Sequence, residues 1–233
     1  MKYLWLLILF LIPLKVYGTS SYIVMDADSK RVIEGANTQE KKLIASTTKI
    51  MTAIIAIENG SLDDKVKIDK DVLKAYGSNI YVEIDEEITL RDLLYGLLLR
   101  SGNDAAMMIS EYIGGTTEEF VNMMNNKAKE IGMKETTFYN PSGLPTPSGN
   151  YSSAYDMALL TKYAMNSPVY QEIVKTKTYK VTTNKKTYLW HNKNKLLKYD
   201  YITGGKTGYT EESGRTLVST ANIDNMSLIV VTI

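Results

Sequence analysis

Between Ser46 and Glu58 the chain carries Ile50, Met51, Ala53, Ile54, Ile55, Ala56 and Ile57 with almost no polar face. Such a segment predicts a helix buried all round, and Asn59-Gly60 ends it. The flanking patterns differ. Ser21 to Asp26 alternates in β-rich residues, Asp28-Ser29-Lys30 has turn chemistry, and Arg31 to Glu34 resumes, which predicts a hairpin. Further on, Thr89 caps a helix with Arg91 and Asp92 in its first turn and Leu93, Leu94, Leu97 and Leu98 along one face. A second helix follows Gly102-Asn103-Asp104. A third starts at Thr117, where Glu118 and Glu119 suit the positive end of the helix dipole. Asn140 to Asn150 is a loop rich in Pro, Gly and Ser, and another helix begins near Ser153. Strands return over Tyr179 to Thr182, Tyr188 to Trp190, Gly205 to Thr210, Leu217 to Ala221 and Ser227 to Ile233. Strands at both ends with helices between predict an α/β chain of the α+β type. Its antiparallel five-stranded sheet is drawn from both chain ends, with a helical lobe inserted.

The first residues read as a targeting segment. Met1-Lys2 supplies a positive start, Tyr3 to Leu14 is almost wholly apolar, and Val16-Tyr17-Gly18 offers a cleavage site after Gly18. Residues 1–18 are expected to be a signal peptide and 19–233 one exported domain at the cell envelope. A retained anchor is the other reading, but the apolar run falls short of the roughly 18 residues that span a bilayer. With 27 basic against 26 acidic side chains in 233 residues, a nucleic-acid partner is not expected. There is no cysteine and a single histidine, His191. A thiol nucleophile, a thiolate metal site and a paired-histidine zinc site are therefore excluded. A hydrolase built from this chain must draw its base from Lys, Asp, Glu or Tyr, unless it uses His191.

Ser46-Thr47-Thr48-Lys49 opens the buried helix. Residues three apart share a helix face, so the Lys49 amine reaches the Ser46 hydroxyl from the same side. To act as a base near neutral pH the lysine must fall from about 10.4 by roughly three pH units, about 4 kcal/mol, through burial or a second cation. The bland alternative is a serine N-cap with a solvated lysine one turn on. Lys206-Thr207-Gly208, after Gly204-Gly205, places a lysine and a hydroxyl on a predicted strand where glycine lets a substrate backbone lie close. An edge-strand lysine guarding against aggregation is its structural counterpart. Ser101-Gly102-Asn103 lies in the turn between two helices and offers a hydroxyl for proton relay and an amide for a substrate carbonyl. The same tripeptide at Ser148-Gly149-Asn150 is read as turn chemistry. Lys175 to Lys198 holds eight lysines and no acidic residue. A solvated hairpin face is favoured there over a contact with an anionic wall polymer.

Taken together and in this order, the Ser-x-x-Lys, Ser-x-Asn and Lys-Thr-Gly elements resemble the low-molecular-mass penicillin-binding proteins, specifically the serine-type D-alanyl-D-alanine carboxypeptidases. The resemblance covers the chain after the leader and includes Leu43 to Ala53, Ser101 to Ala106, and Gly204 to Thr210 with Gly214 and Leu217-Val218. It implies a β-lactamase/transpeptidase-like fold and no cofactor or metal. It also implies an acyl-enzyme on Ser46 formed with the penultimate D-alanine of a peptidoglycan stem peptide. Lys49 would take the serine proton and Ser101 would pass it to the leaving D-alanine. Asn103 would position the peptide, Lys206 with Thr207 would hold the terminal carboxylate, and the N–H groups of Ser46 and Tyr209, beyond Gly208, would form the oxyanion hole. β-Lactam antibiotics would acylate the same serine. The chain departs from the family in having no histidine at Pro147 to Tyr151. It also stops at Ile233 inside the last predicted strand, where family members continue into a helix and often a β-rich domain and a membrane-associating tail. Either the chain is a fragment, truncated before that helix, or the protein has lost these elements, and membrane attachment is expected only through sequence beyond Ile233. Two rival functions are a class A-like β-lactamase, which wants a glutamate in a loop where Asn140 to Asn150 has no acidic residue, and a non-catalytic penicillin-binding sensor.

Overall fold

The turn after the first strand is built by Asp26, whose carboxylate accepts the N–H groups of Asp28 and Ser29, and by Lys30, which takes a left-handed φ of 62°. It folds β1 (Tyr22–Asp26) onto β2 (Val32–Ala36). The structure is a computed structural model describing residues 20–224 and 226–233. The expected signal peptide, residues 1–18, lies outside the described residues.

After a short β3 (Lys42–Leu43), one 3-10 turn over Ala45–Thr48 runs into α1 (Lys49–Asn59). As the apolar pattern requires, Ile50, Met51, Ala53, Ile54, Ile55 and Ala56 are buried, with α3 to α6 (residues 103–114, 117–131, 154–164 and 168–175) packed around them. Burying one isoleucine contributes about 2 kcal/mol. Helix α1 is therefore the post on which the lobe is hung. Strands β4 (Lys65–Lys67) and β5 (Glu87–Thr89) pair before α2 (Leu90–Tyr95). Thr89 caps α2 with a reciprocal box: its hydroxyl accepts from Asp92 N–H at 3.1 Å and the Asp92 carboxylate accepts from Thr89 N–H at 3.3 Å. Past Tyr95 the helix widens into one π turn, Gly96–Arg100, which ends on Ser101 in the left-handed region at φ 64°, ψ 36°. Then come α3 (Asn103–Gly114) and α4 (Thr117–Ile131), the latter capped by Thr116, β6 (Tyr151–Ser152), which pairs with β3, and α5 (Ala154–Ala164), capped by Ser153. An additional helix, α6 (Pro168–Lys175), was not assigned from the pattern. Its signal is Ser167-Pro168, a cap followed by proline at the first helical position.

Strands β7 (Thr178–Thr182) and β8 (Thr187–His191) form a hairpin of their own. Its Tyr179 and Trp190 turn inward, Tyr179 stacked on Tyr95 with centroids 3.6 Å apart. Lys185 and Lys177 face solvent, as a solvated hairpin face requires. Finally β9 (Ile202–Thr210), β10 (Gly214–Ile223) and β11 (Met226–Thr232) join the first hairpin in a five-stranded antiparallel sheet of order β2-β1-β11-β10-β9. The register Ile23↔Val231↔Val218 puts these three on one buried face, against which α5 and α6 pack. The α+β architecture with a sheet from both chain ends is thus observed. Strand β9 is left as an edge, facing the start of α1 and the Ser101 turn. Among the described residues no helix is long and apolar enough to cross a membrane.

Removing the α2 cap tests the scaffold behind that turn. Thr89→Ala should cost about 1 kcal/mol in a urea melt, because the Asp92 N–H loses its acceptor.

Candidate active site

Ser46 lies in the 3-10 turn, preceded by Ala45 in a left-handed conformation, φ 46°, which a non-glycine residue adopts at a cost of about 1–2 kcal/mol. The strain is held in place from two sides. Gly143 packs so closely that a Cβ there would stand 1.9 Å from the Ala45 carbonyl oxygen. On the other side the Thr216 hydroxyl donates to the Ile44 carbonyl at 3.1 Å. Strand β9 also approaches the turn, and a Cβ on Gly208 would come within 2.3 Å of Thr216 Oγ1 and 3.0 Å of Ser46 N. Glycine at both positions is a matter of space.

One turn on, Lys49 is completely buried. Its Nζ lies 2.7 Å from Asn103 Oδ1, 2.5 Å from the Ser142 carbonyl oxygen and 3.1 Å from Ser46 Oγ. The first two partners only accept, so they take two N–H bonds. An uncharged amine has no third N–H, and its lone pair then faces the Ser46 hydroxyl as acceptor. The electrostatics agree. Burial lowers the Lys49 pKa well below its usual value, the Lys206 and Lys193 charges lower it further, and Asp104 opposes them. Lys206 is also buried, at 1% exposure; burial first and Lys193 second bring it to about 7. Its amine donates to Ser101 Oγ at 3.0 Å and to the Thr207 carbonyl at 2.6 Å.

The Ser101 turn is held by its neighbours. The Asp104 carboxylate accepts the N–H groups of Ile80, Tyr81 and Ala105 at 2.6–3.0 Å, which clamps the 75–82 segment to the start of α3. Asn103 donates to the Tyr76 carbonyl at 2.6 Å. In the loop before α5, Asn140 accepts from Ser142 and Gly143 N–H, so the carbonyl that meets Lys49 is aimed by a side chain. Asn150, of the second Ser-Gly-Asn copy, is buried and ties that loop to Thr48 Oγ1 at 2.9 Å, a structural staple as expected.

An open groove of about 710 Å³ runs along the β9 edge. Of the residues singled out by sequence, Ser46, Ser101, Thr207, Gly208 and Tyr209 line it. Lys49, Asn103 and Lys206 stand behind its wall, buried, and act through the groups in front of them. Sequence reasoning missed Ser78, Lys193 and Arg215 on the wall, and Ser142 as a lysine partner. Lys193 belongs to the basic segment read as a solvated face; the other three lie in no motif. The carboxylates of Asp69, Asp71 and Glu111, whose oxygens gather within 4.8 Å, border a different hollow, where Lys74 pairs with Asp71 at 2.7 Å.

This arrangement can activate a hydroxyl, transfer its proton, and receive a carbonyl against a glycine-bearing strand edge. The D-alanyl-D-alanine carboxypeptidase family matches residues 15–233. D-alanyl-D-alanine carboxypeptidase DacF of Bacillus subtilis is 41% identical over 226 residues, covering 92% of this chain and 57% of that protein. DacC of Escherichia coli is 35% identical, covering 90% and 54%. The chain thus spans about half the length of these curated relatives. Among solved structures, a D-alanyl-D-alanine carboxypeptidase from Mycobacterium tuberculosis superposes with a TM-score of 0.87 at 32% identity, over 91% of this chain and 80% of that one. A variant of the Streptomyces K15 DD-transpeptidase gives 0.86 at 29%, over 91% and 89%.

Gly208→Ala tests the close approach of β9. The added methyl would overpack against Thr216 Oγ1 and Ser46 N, so the variant should lose about 1–3 kcal/mol in a urea melt.

Proposed function

The chain belongs to the D-alanyl-D-alanine carboxypeptidase family, and we propose that it removes the terminal D-alanine from peptidoglycan stem peptides through an acyl-enzyme on Ser46. The observation that carries this reading is the Lys49 amine, whose two N–H bonds are taken by Asn103 and Ser142 and whose third direction meets the Ser46 hydroxyl. Ser46 attacks the carbonyl of the penultimate D-alanine as its proton passes to Lys49. The oxyanion is received by the backbone N–H groups of Ser46 and Tyr209. The proton held by Lys49 then passes by way of Ser101, hydrogen-bonded to Lys206, to the departing amine, which returns Lys49 to its neutral form and Ser101 to its hydroxyl. Water then attacks the ester, with Lys49 as base, and the shortened peptide leaves. A β-lactam carbonyl enters by the same route and leaves Ser46 acylated. Export to the cell envelope fits this substrate, and the apolar run from Tyr3 to Leu14 supports it.

Ser46→Ala should abolish both D-alanine release from a D-Ala-D-Ala peptide and labelling by penicillin; labelling that survives would place the nucleophile elsewhere. The pH dependence follows from the direction of the lysine shifts. A depressed lysine is a base only above its lowered pKa, so kcat/KM should fall as the medium is made acidic and Lys49 is protonated. Lys206, at about 7, also gains a charge beside the base as the pH falls. Lys49→Arg, permanently charged, should lose about 10²–10⁴ in kcat at every pH.

A further inference from the structure

Apart from Lys193 and Lys195 on the groove wall, the basic segment Lys175 to Lys198 takes no part in the site around Ser46. Its charge is lopsided. Of the chain's 27 basic side chains eight lie in it with no acidic one, which leaves 19 against 26 acidic elsewhere. The fold does not cancel that excess. At the hairpin tip Lys186 pairs with Glu83 at 2.6 Å. Among the described residues the segment's other lysines, and Arg100 beside them, form no ion pair. Asp92 and Glu86 meet the hairpin from its inner side, where they accept the Tyr179 and Tyr188 hydroxyls at 2.7 and 2.8 Å. The uncancelled cations gather at the hairpin base. The Arg100 guanidinium donates to the His191 carbonyl at 3.4 Å, and Asn192 N–H donates to the Lys177 carbonyl at 2.9 Å. Lys177 and Lys180 are exposed, Lys180 opposite an exposed Leu189 on the outer face. Lys193, tied by its N–H to the Leu99 carbonyl at 3.0 Å, carries the row onto the groove wall. The like charges act on one another: partial desolvation first and Arg100 second lower the Lys193 pKa. A row of like charges on a rigid mount repels itself and attracts a ligand that carries several negative charges.

We propose that the base of the β7–β8 hairpin is a docking strip for the peptidoglycan strand, where Lys177, Lys180 and Arg100 hold carboxylates of stem peptides other than the one in the groove. This rests on the carboxypeptidase reading and deepens it. A strand whose peptides each end in a free carboxylate is a polyanion, and the strip is continuous with the groove in which one of those peptides is cut. Holding the strand there raises the effective concentration of further peptide ends at Ser46 without touching the reacting one.

The test compares D-alanine release from uncrosslinked peptidoglycan strands and from the free stem pentapeptide, on the full chain. The double substitution Lys177→Glu and Lys180→Glu should lower kcat/KM on strands about 10-fold or more, through KM, the size of a lost steering field. It should leave kcat on the free peptide unchanged. The same charge change at Lys129 and Lys134, outside the strip, should leave both substrates as they are. For the wild type, KM should rise with salt more steeply for strands than for the peptide. Equal losses on strand and peptide, an equal loss from the control, or equal salt slopes overturn the strip. Its occupant is decided by sedimenting Ser46→Ala protein with cell walls. Binding should survive removal of phosphodiester polymers from the walls, and binding that disappears with them overturns the assignment to peptidoglycan. Absence of D-alanine release by the wild type would sink the carboxypeptidase reading instead. Sedimentation with bare strands then still judges the strip, by whether Lys177→Glu with Lys180→Glu weakens it.

Discussion

A neutral primary amine has two N–H bonds and one lone pair, and the surroundings of Lys49 use all three. Two of its partners, the Asn103 amide oxygen and the Ser142 carbonyl, cannot donate. They fix the direction left for the lone pair, and Ser46 stands in that direction. Each partner comes from a different part of the chain: the start of α1, the start of α3, and the loop before α5. Much of the remaining structure can be read as what brings three distant segments to one nitrogen. Asn140 aims the Ser142 carbonyl, Asn150 fastens that loop to Thr48, and Asp104 clamps the segment beneath Asn103.

Burying an amine is unfavourable while it is charged, and the fold exploits that. The isoleucines of α1 each contribute about 2 kcal/mol on burial, and the same packing that stabilises the helix strips water from Lys49. Desolvation favours the uncharged form, and the neighbouring cations Lys206 and Lys193 push the same way. Cations therefore differ in role by depth. Lys49 and Lys206, behind the wall, are driven towards neutrality by burial, whereas Lys193 on the wall keeps part of its side chain in solvent.

Strand β9 is the other constraint. It is the edge of the sheet, so its outer polar groups face the groove. Gly208 lets that edge close on the Ser46 turn, where any side chain would collide with Thr216. An exposed edge is ordinarily a liability in a soluble protein. Here the helical lobe stands across the groove from it, with Ser46, Ser78 and Ser101 on the facing wall.

Most of the scaffold was legible in local pattern. The all-apolar run of α1, the Thr89 cap, the Asp28-Ser29-Lys30 turn and the alternating terminal strands are short-range signals. Helix α6 was missed because it is only eight residues long, little more than two turns over which to show a period, and its main mark is the dipeptide Ser167-Pro168. The Ser46–Lys49 pair was legible too, since a helix fixes what stands three residues on. Sequence by itself determined which groups could be nucleophile, base and relay, because a chain with one histidine and no cysteine has few candidates. Only the tertiary structure decided which of them face the groove and which stand behind it. It withdrew Lys206 and Asn103 from the surface, brought the Ser142 carbonyl to Lys49 across 93 residues, and set Lys193 beside Ser78 across 115. Such pairings depend on loop closure and packing between distant segments, for which no local pattern carries a signal.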